Sequence, residues 1–134
     1  VDLQRKIFYV AHAVSGDVDA NVKRALGWLR YLRHADPANT FIAPWIAAIL
    51  SGEDDNDPTA RERGLVDCET VAARCDGIVL VGGRVSSGMA RERDAVLRAG
   101  GDVRDLTPMG EEPPQLAQDD YREVMGRFDT TETP

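Results

Sequence analysis

Short apolar runs alternating with amphipathic stretches predict an α/β domain of three αβα layers. A parallel sheet of four or five strands lies at its centre, in the flavodoxin-like or Rossmann-like class. Three observations carry this expectation. Residues 7–11 (IFYVA) and 78–81 (IVLV) are continuous apolar runs, as expected of strands covered on both faces. Residues 18–34 place Val22, Leu26, Leu29 and Leu32 near one helical face. Two glycine pairs, Gly82-Gly83 and Gly100-Gly101, punctuate the later elements.

Taken in order, residues 7–11 open the sheet and Ser15-Gly16-Asp17 makes a turn. Asp17 or Asp19 caps the helix over 18–34, which ends at Asp36-Pro37. Residues 40–43 form a second strand, stopped by Pro44. The apolar run 45–50 (WIAAIL) reads as a short buried helix or as a contact with a partner. Residues 51–58 are a polar loop in which Asp57 can cap a helix over 59–74. The strand at 78–81 is broken by Gly82-Gly83, and a helix over 86–99 follows, with Ser86 or Ser87 as its cap. Residues 103–106 form a last strand. Composition shifts from Thr107 onward. The sequence therefore divides into an α/β domain over 1–106 and a C-terminal region over 107–134. That region is expected to hold a linker (MGEEPP), a short helix over 116–128 and an acidic tail.

Bulk properties narrow the function. At 134 residues the chain suits one domain with one core. A formal net charge of −7 argues against duplex nucleic acid, which needs many cationic contacts to phosphate. No stretch reads as a bilayer span or a secretion leader, so no membrane partner is expected. Cys68 and Cys75, about 10 Å apart along one helix, are too distant to bridge and fit a reducing cytoplasm. No Cys/His cluster has metal-ligand spacing, and no metal or organic cofactor is expected. Asp54, Asp55 and Asp57 lack the later Gly and Glu of a calcium loop and read as a solvated turn.

In doubly wound sheets ligands bind beyond the carboxyl ends of the strands. Two segments qualify here: AHAVSGD after the first strand and GGRVSSGMARE after the third, neighbours if those strands pair. In the second segment the start of a helix offers free N–H groups to an anion. Glu92 follows Gly88 by one helical turn, and side chains lean toward the helix N-terminus. Its carboxylate therefore reaches over a residue that has no side chain, placed to attack a sugar carbon or to stabilise positive charge there. The plain alternative is a surface glutamate near a helix start. His12, at the end of strand one, reads as a general acid or base or as a hydrogen-bonded loop histidine. Arg84 and Arg91 read as phosphate partners or solvated residues, and Trp45 as a base-stacking or packing residue.

The start FYVA, the turn SGDVDAN, the loop DDNDP and the stretch CDGIVLVGGRVSSGMARE together resemble the nucleoside 2-deoxyribosyltransferase-like superfamily, over residues 6–106. The chain is closer to small phage and bacterial members than to the transferases. It is also similar to the deoxynucleoside 5′-monophosphate N-glycosidases, in which a serine opens the loop and a catalytic glutamate lies six residues later. Ser86 and Glu92 have that spacing. The resemblance implies Glu92 as the nucleophile on the anomeric carbon and Tyr9 as a tyrosine that contacts it. It implies Ser86, Ser87 and Gly88, with Met89, as the loop that holds the sugar or its 5′ end. Ser15 and Gly16 fall in the first ligand loop, beside His12.

Three departures stand out. His12-Ala13 stand where family members usually have glycine and then proline or serine after the first strand. Ser15 occupies the place of a phosphate-binding arginine. The slot of the second catalytic acid falls on Cys68, flanked by Asp67 and Glu69, so Asp67 enters only with a one-residue shift of the helix. The implied reaction is N-glycosidic cleavage or base exchange on a deoxynucleoside or its 5′-monophosphate, without a cofactor, in a homodimer or larger assembly. The rival is a non-catalytic nucleotide-binding sensor on the same fold.

Overall fold

The computed structural model describes residues 1–52, 54 and 56–115. The helix expected over 116–128 and the acidic tail lie outside the described residues, as does Asp55. Strands β1 (Ile7–Ala11), β2 (Thr40–Ile42), β3 (Gly77–Leu80) and β4 (Asp102–Asp105) form one parallel sheet in the order β2-β1-β3-β4. Helices α1 (Val18–Ala35), α2 (Pro44–Leu50), α3 (Pro58–Ala72) and α4 (Ser87–Arg98) connect them.

The layering follows from strand alternation and the right-handed crossover rule. The chain steps from β1 to β2 in one direction and reaches β3 and β4 in the other, so the crossover helices fall on opposite faces. Phe8 and Val10 of β1 join Phe41, Val79 and Val81 under Trp28 and Leu32 of α1. Tyr9 and Ala11 face the other way, with Ile78 and Leu80, against Ala72, Met89 and Val96 from α3 and α4. Phe8, Tyr9, Val10 and Trp28 are fully buried. Each such apolar side chain contributes about 2 kcal/mol of burial free energy.

The elements lie close to the sequence expectation, with three corrections. The inward stripe of α1 is Val22, Ala25, Trp28 and Leu32, while Leu26 is 46% exposed. Trp28 follows Ala25 by three residues and shares its face, whereas Leu26 is turned about 100° from Ala25. Cys75 lies in the turn after α3 rather than within the helix. The last strand begins at Asp102 and is mostly exposed, with the charged side chains that suit a sheet edge. Asp17, Asp57 and Ser86 are the helix caps, each accepting a backbone N–H of its own first turn.

The stretch expected as a linker packs on α1. Trp28 Nε1 donates to the Glu111 carbonyl at 2.9 Å and Arg24 pairs with Glu112 at 2.9 Å. Pro113 lies against Gly27, where an added Cβ would come within 3.0 Å of the proline ring. No helix among the described residues is long and apolar enough to cross a membrane.

Candidate functional site

β1 and β3 are neighbours whose connections leave in opposite directions, which opens a crevice beyond their carboxyl ends. A pocket of about 210 Å³ lies there. His12, Val14 and Ser15 line it from the loop after β1, and Trp45 and Ile49 from α2. Leu65 and Cys68 line it from α3, and Ser86 to Met89 with Glu92 from the start of α4. Asp54, Arg61, Arg63 and Asp67 also border it.

Local bonding sets each wall. The Ser86 hydroxyl accepts from Met89 N at 3.2 Å, and Ser86 N donates to the Met89 sulfur at 3.4 Å. This reciprocal cap leaves the N–H groups of Ser87 and Gly88 outside the helical ladder. A Cβ on Gly88 would meet only Leu65 at 3.4 Å and the Ser86 hydroxyl at 4.0 Å, so the approach over this residue is open. Buried Asn21 donates to the carbonyls of Val14 and Ser15 at 3.0 and 3.1 Å and fixes the first loop.

Glu92 sits one turn below Gly88, only 6% exposed, facing the pocket. Burial raises its pKa to about 7; the charge of Glu69 pushes the same way and the Tyr9 hydroxyl opposes. Tyr9 lies behind the pocket wall, fully buried, and its hydroxyl reaches no partner at hydrogen-bonding distance. Burial, then the Glu92 carboxylate and Cys68, hold that phenol far above its ordinary range. Half-buried Cys68 is raised first by burial; the Tyr9 hydroxyl opposes, and Glu92, Asp67 and Glu69 add to the rise. Tyr9, Cys68 and Glu92 therefore form a weakly hydrated cluster of three acids that all resist ionisation.

His12 is 4% exposed and makes a 2.7 Å contact from Nδ1 to the Ala13 carbonyl, which assigns Nδ1 as the donor. Nε2 is then an acceptor, buried and without a partner, against Gly82. Gly82 has φ +99°, and a Cβ there would lie 2.6 Å from the His12 ring. Burial chiefly lowers the His12 pKa, opposed by the Ala13 bond, with Arg24 and Arg84 adding to the fall. The ring stacks on Trp45 at 6.5 Å, and Trp45 Nε1 donates to the Val10 carbonyl at 2.9 Å. Trp45 is thus an intramolecular wall of the pocket.

Of the residues expected at the site, Glu92, Asp67, His12, Ser15, Ser86, Ser87, Gly88 and Met89 border one pocket. Tyr9 lies behind it, and Gly16 is an exposed turn glycine with φ +99° outside the lining. Asp67 is exposed. Arg91 is committed to α3: it forks onto Glu62 at 3.0 and 3.2 Å and bonds Glu69. The sequence expectation reaches Asp67 and Cys68 on the α3 wall but not the rest of it. Ala60, Gly64 and Cys68 recur there every four residues, with Arg61 and Leu65 beside them, a helical stripe legible in principle. Among the described residues, no group of three or more His, Cys, Asp or Glu is placed to hold a metal ion.

The fold and pocket define a small Rossmann-like α/β domain with a pocket at the switch between β1 and β3. Within that class, the chain belongs to the family described as Domain of unknown function (DUF7768), matched over residues 6–106. No curated protein and no solved structure matches the chain.

Proposed function

We propose that this domain cleaves or exchanges the N-glycosidic bond of a nucleoside or nucleotide, with Glu92 as the nucleophile. The observation that carries this reading is a buried carboxyl group facing a pocket above a bare glycine, beside a phenol without a partner. Glu92 attacks the anomeric carbon, the bond to the base breaks, and its electron pair leaves with the base. Water, or a second base, then attacks the sugar carbon and returns the electron pair to the carboxylate. Trp45 and Ile49 offer an apolar wall to the base, and Ser86, Ser87 and Gly88 offer hydroxyl and N–H groups to the sugar end. Only ionised Glu92 is nucleophilic, so the rate rises with pH through about 7.

The second reading is a non-catalytic nucleotide-binding module, favoured by the thiol of Cys68 where a second acid is expected. Base release is followed by chromatography on nucleoside and nucleotide N-glycosides bearing neutral and cationic bases, wild type beside Glu92→Gln. Release abolished by the substitution supports the enzyme. Binding without release in both proteins supports the module.

A further inference from the structure

We infer that the substrate class is an N-glycoside whose base already carries a positive charge, such as an N-alkylated purine or a pyridinium. This deepens the proposed glycosidase reading and rests on it. A neutral base leaves as an anion unless an acid protonates it, and a buried site without such an acid strands that charge.

The groups around Glu92 are poor donors. Tyr9 from β1 is fully buried and is held protonated first by that burial and then by the carboxylate beside it. Cys68 from α3 is half-buried, and its thiol is made a weaker acid by burial and by three neighbouring carboxylates. His12, after β1, spends its Nδ1 proton on the Ala13 carbonyl, and its bare Nε2 is an acceptor. Glu69 is bound by Arg91 from α4. Glu92 itself must be ionised to attack. That leaves Asp54 and Asp67, both exposed at the border of the pocket.

A cationic base removes the requirement. The carboxylate oxygen of Glu92 bonds to the anomeric carbon while the glycosidic C–N bond breaks. The electron pair of that bond neutralises the positive ring, which departs as an uncharged base with no proton taken up. Water then attacks the sugar carbon, the ester bond breaks toward Glu92, and one proton passes to solvent. The pocket offers a cationic ring the indole of Trp45 and the carboxylates of Asp54, Asp67 and Glu92. Arg61 and Arg63 border the same pocket, so net charge alone does not select the substrate. Leaving-group chemistry does.

The test compares 7-methyl-2′-deoxyguanosine with 2′-deoxyguanosine, and nicotinamide riboside with 2′-deoxyuridine, at pH 8. Glu92→Gln is the blank for spontaneous decay. The expected result is Glu92-dependent release from the cationic member of each pair at least about tenfold faster than from the neutral one. Cys68→Asp, which installs an acid beside Tyr9, is expected to raise release from 2′-deoxyguanosine. Equal release from charged and neutral substrates overturns the inference and leaves the glycosidase reading standing. So does release from neutral substrates that Asp67→Asn abolishes, which identifies Asp67 as the donor. Glu92-independent release, or none from any substrate, overturns both.

Discussion

Tyr9 and Glu92 bring two buried protonatable groups together from the middle of a central strand and the first turns of a helix. The phenol has no hydrogen-bond partner, and the carboxyl has its pKa raised to about 7. Burying such groups without full compensation costs stability, and the cost depends on pH.

The first prediction follows from that pair. An unfolded glutamate titrates near its ordinary value, whereas folded Glu92 titrates at about 7. Between these values the folded state holds the extra proton, so its stabilising effect is full at low pH and is lost as pH rises through about 7. Glu92→Gln, which cannot ionise, is expected to stabilise the protein by about 2–3 kcal/mol at pH 8 and little at pH 4. Urea denaturation at both pH values checks this. Equal effects at the two would contradict the burial of an ionisable carboxyl.

A second expectation concerns the bridge from Arg91 to Glu62 and Glu69. The Glu69 charge helps raise the Glu92 pKa, and Arg91 partly neutralises it. Arg91→Met is therefore expected to move the Glu92 midpoint above about 7, and Arg91→Met with Glu69→Gln to bring it back down. Carboxyl-carbon NMR titration reads the midpoint directly.

Gly88, on the pocket wall, and Gly82, against the His12 ring, should respond in opposite ways to alanine. At Gly88 the new Cβ meets ordinary contacts in a helical turn, so Gly88→Ala is expected to be neutral or to stabilise by about 0.5 kcal/mol. The same methyl narrows the approach to Glu92 and should weaken ligand binding. At Gly82, φ is +99° and a Cβ falls 2.6 Å from the His12 ring, so Gly82→Ala is expected to cost about 3 kcal/mol or more. Thermal melts and ligand titrations of both variants separate the two effects.

The segment after the last strand should behave as part of the folded unit. A chain ending at Leu106 leaves the Trp28 indole N–H without its acceptor at Glu111 and bares part of α1. Relative to a chain ending at Gln115, a loss of about 2 kcal/mol is expected in chemical denaturation. Equal midpoints would show that residues 107–115 add nothing.

Much of the fold was legible because its signals are local. Apolar runs marked β1 and β3, and Asp17 or Asp19, Asp57, and Ser86 or Ser87 announced the helix starts by side-chain chemistry that acts within one turn, the structure choosing Asp17 and Ser86. Glu92 and Gly88 could be paired from spacing alone, since helix geometry fixes that relation. The choice of Trp28 over Leu26 for the core face was not legible, because apolar spacing admits both.

The sequence by itself determined the alternating α/β order, where the helices start and the one-turn relation between Gly88 and Glu92, all set by backbone geometry over a few residues. Tyr9 and the Cys68 slot came to that carboxyl only through the resemblance; tertiary structure decided how they pack around it, that α2 and α3 wall one pocket, and that Arg91 serves Glu62 and Glu69. Burial and electric fields depend on which elements pack together in space, and no spacing along the chain encodes that.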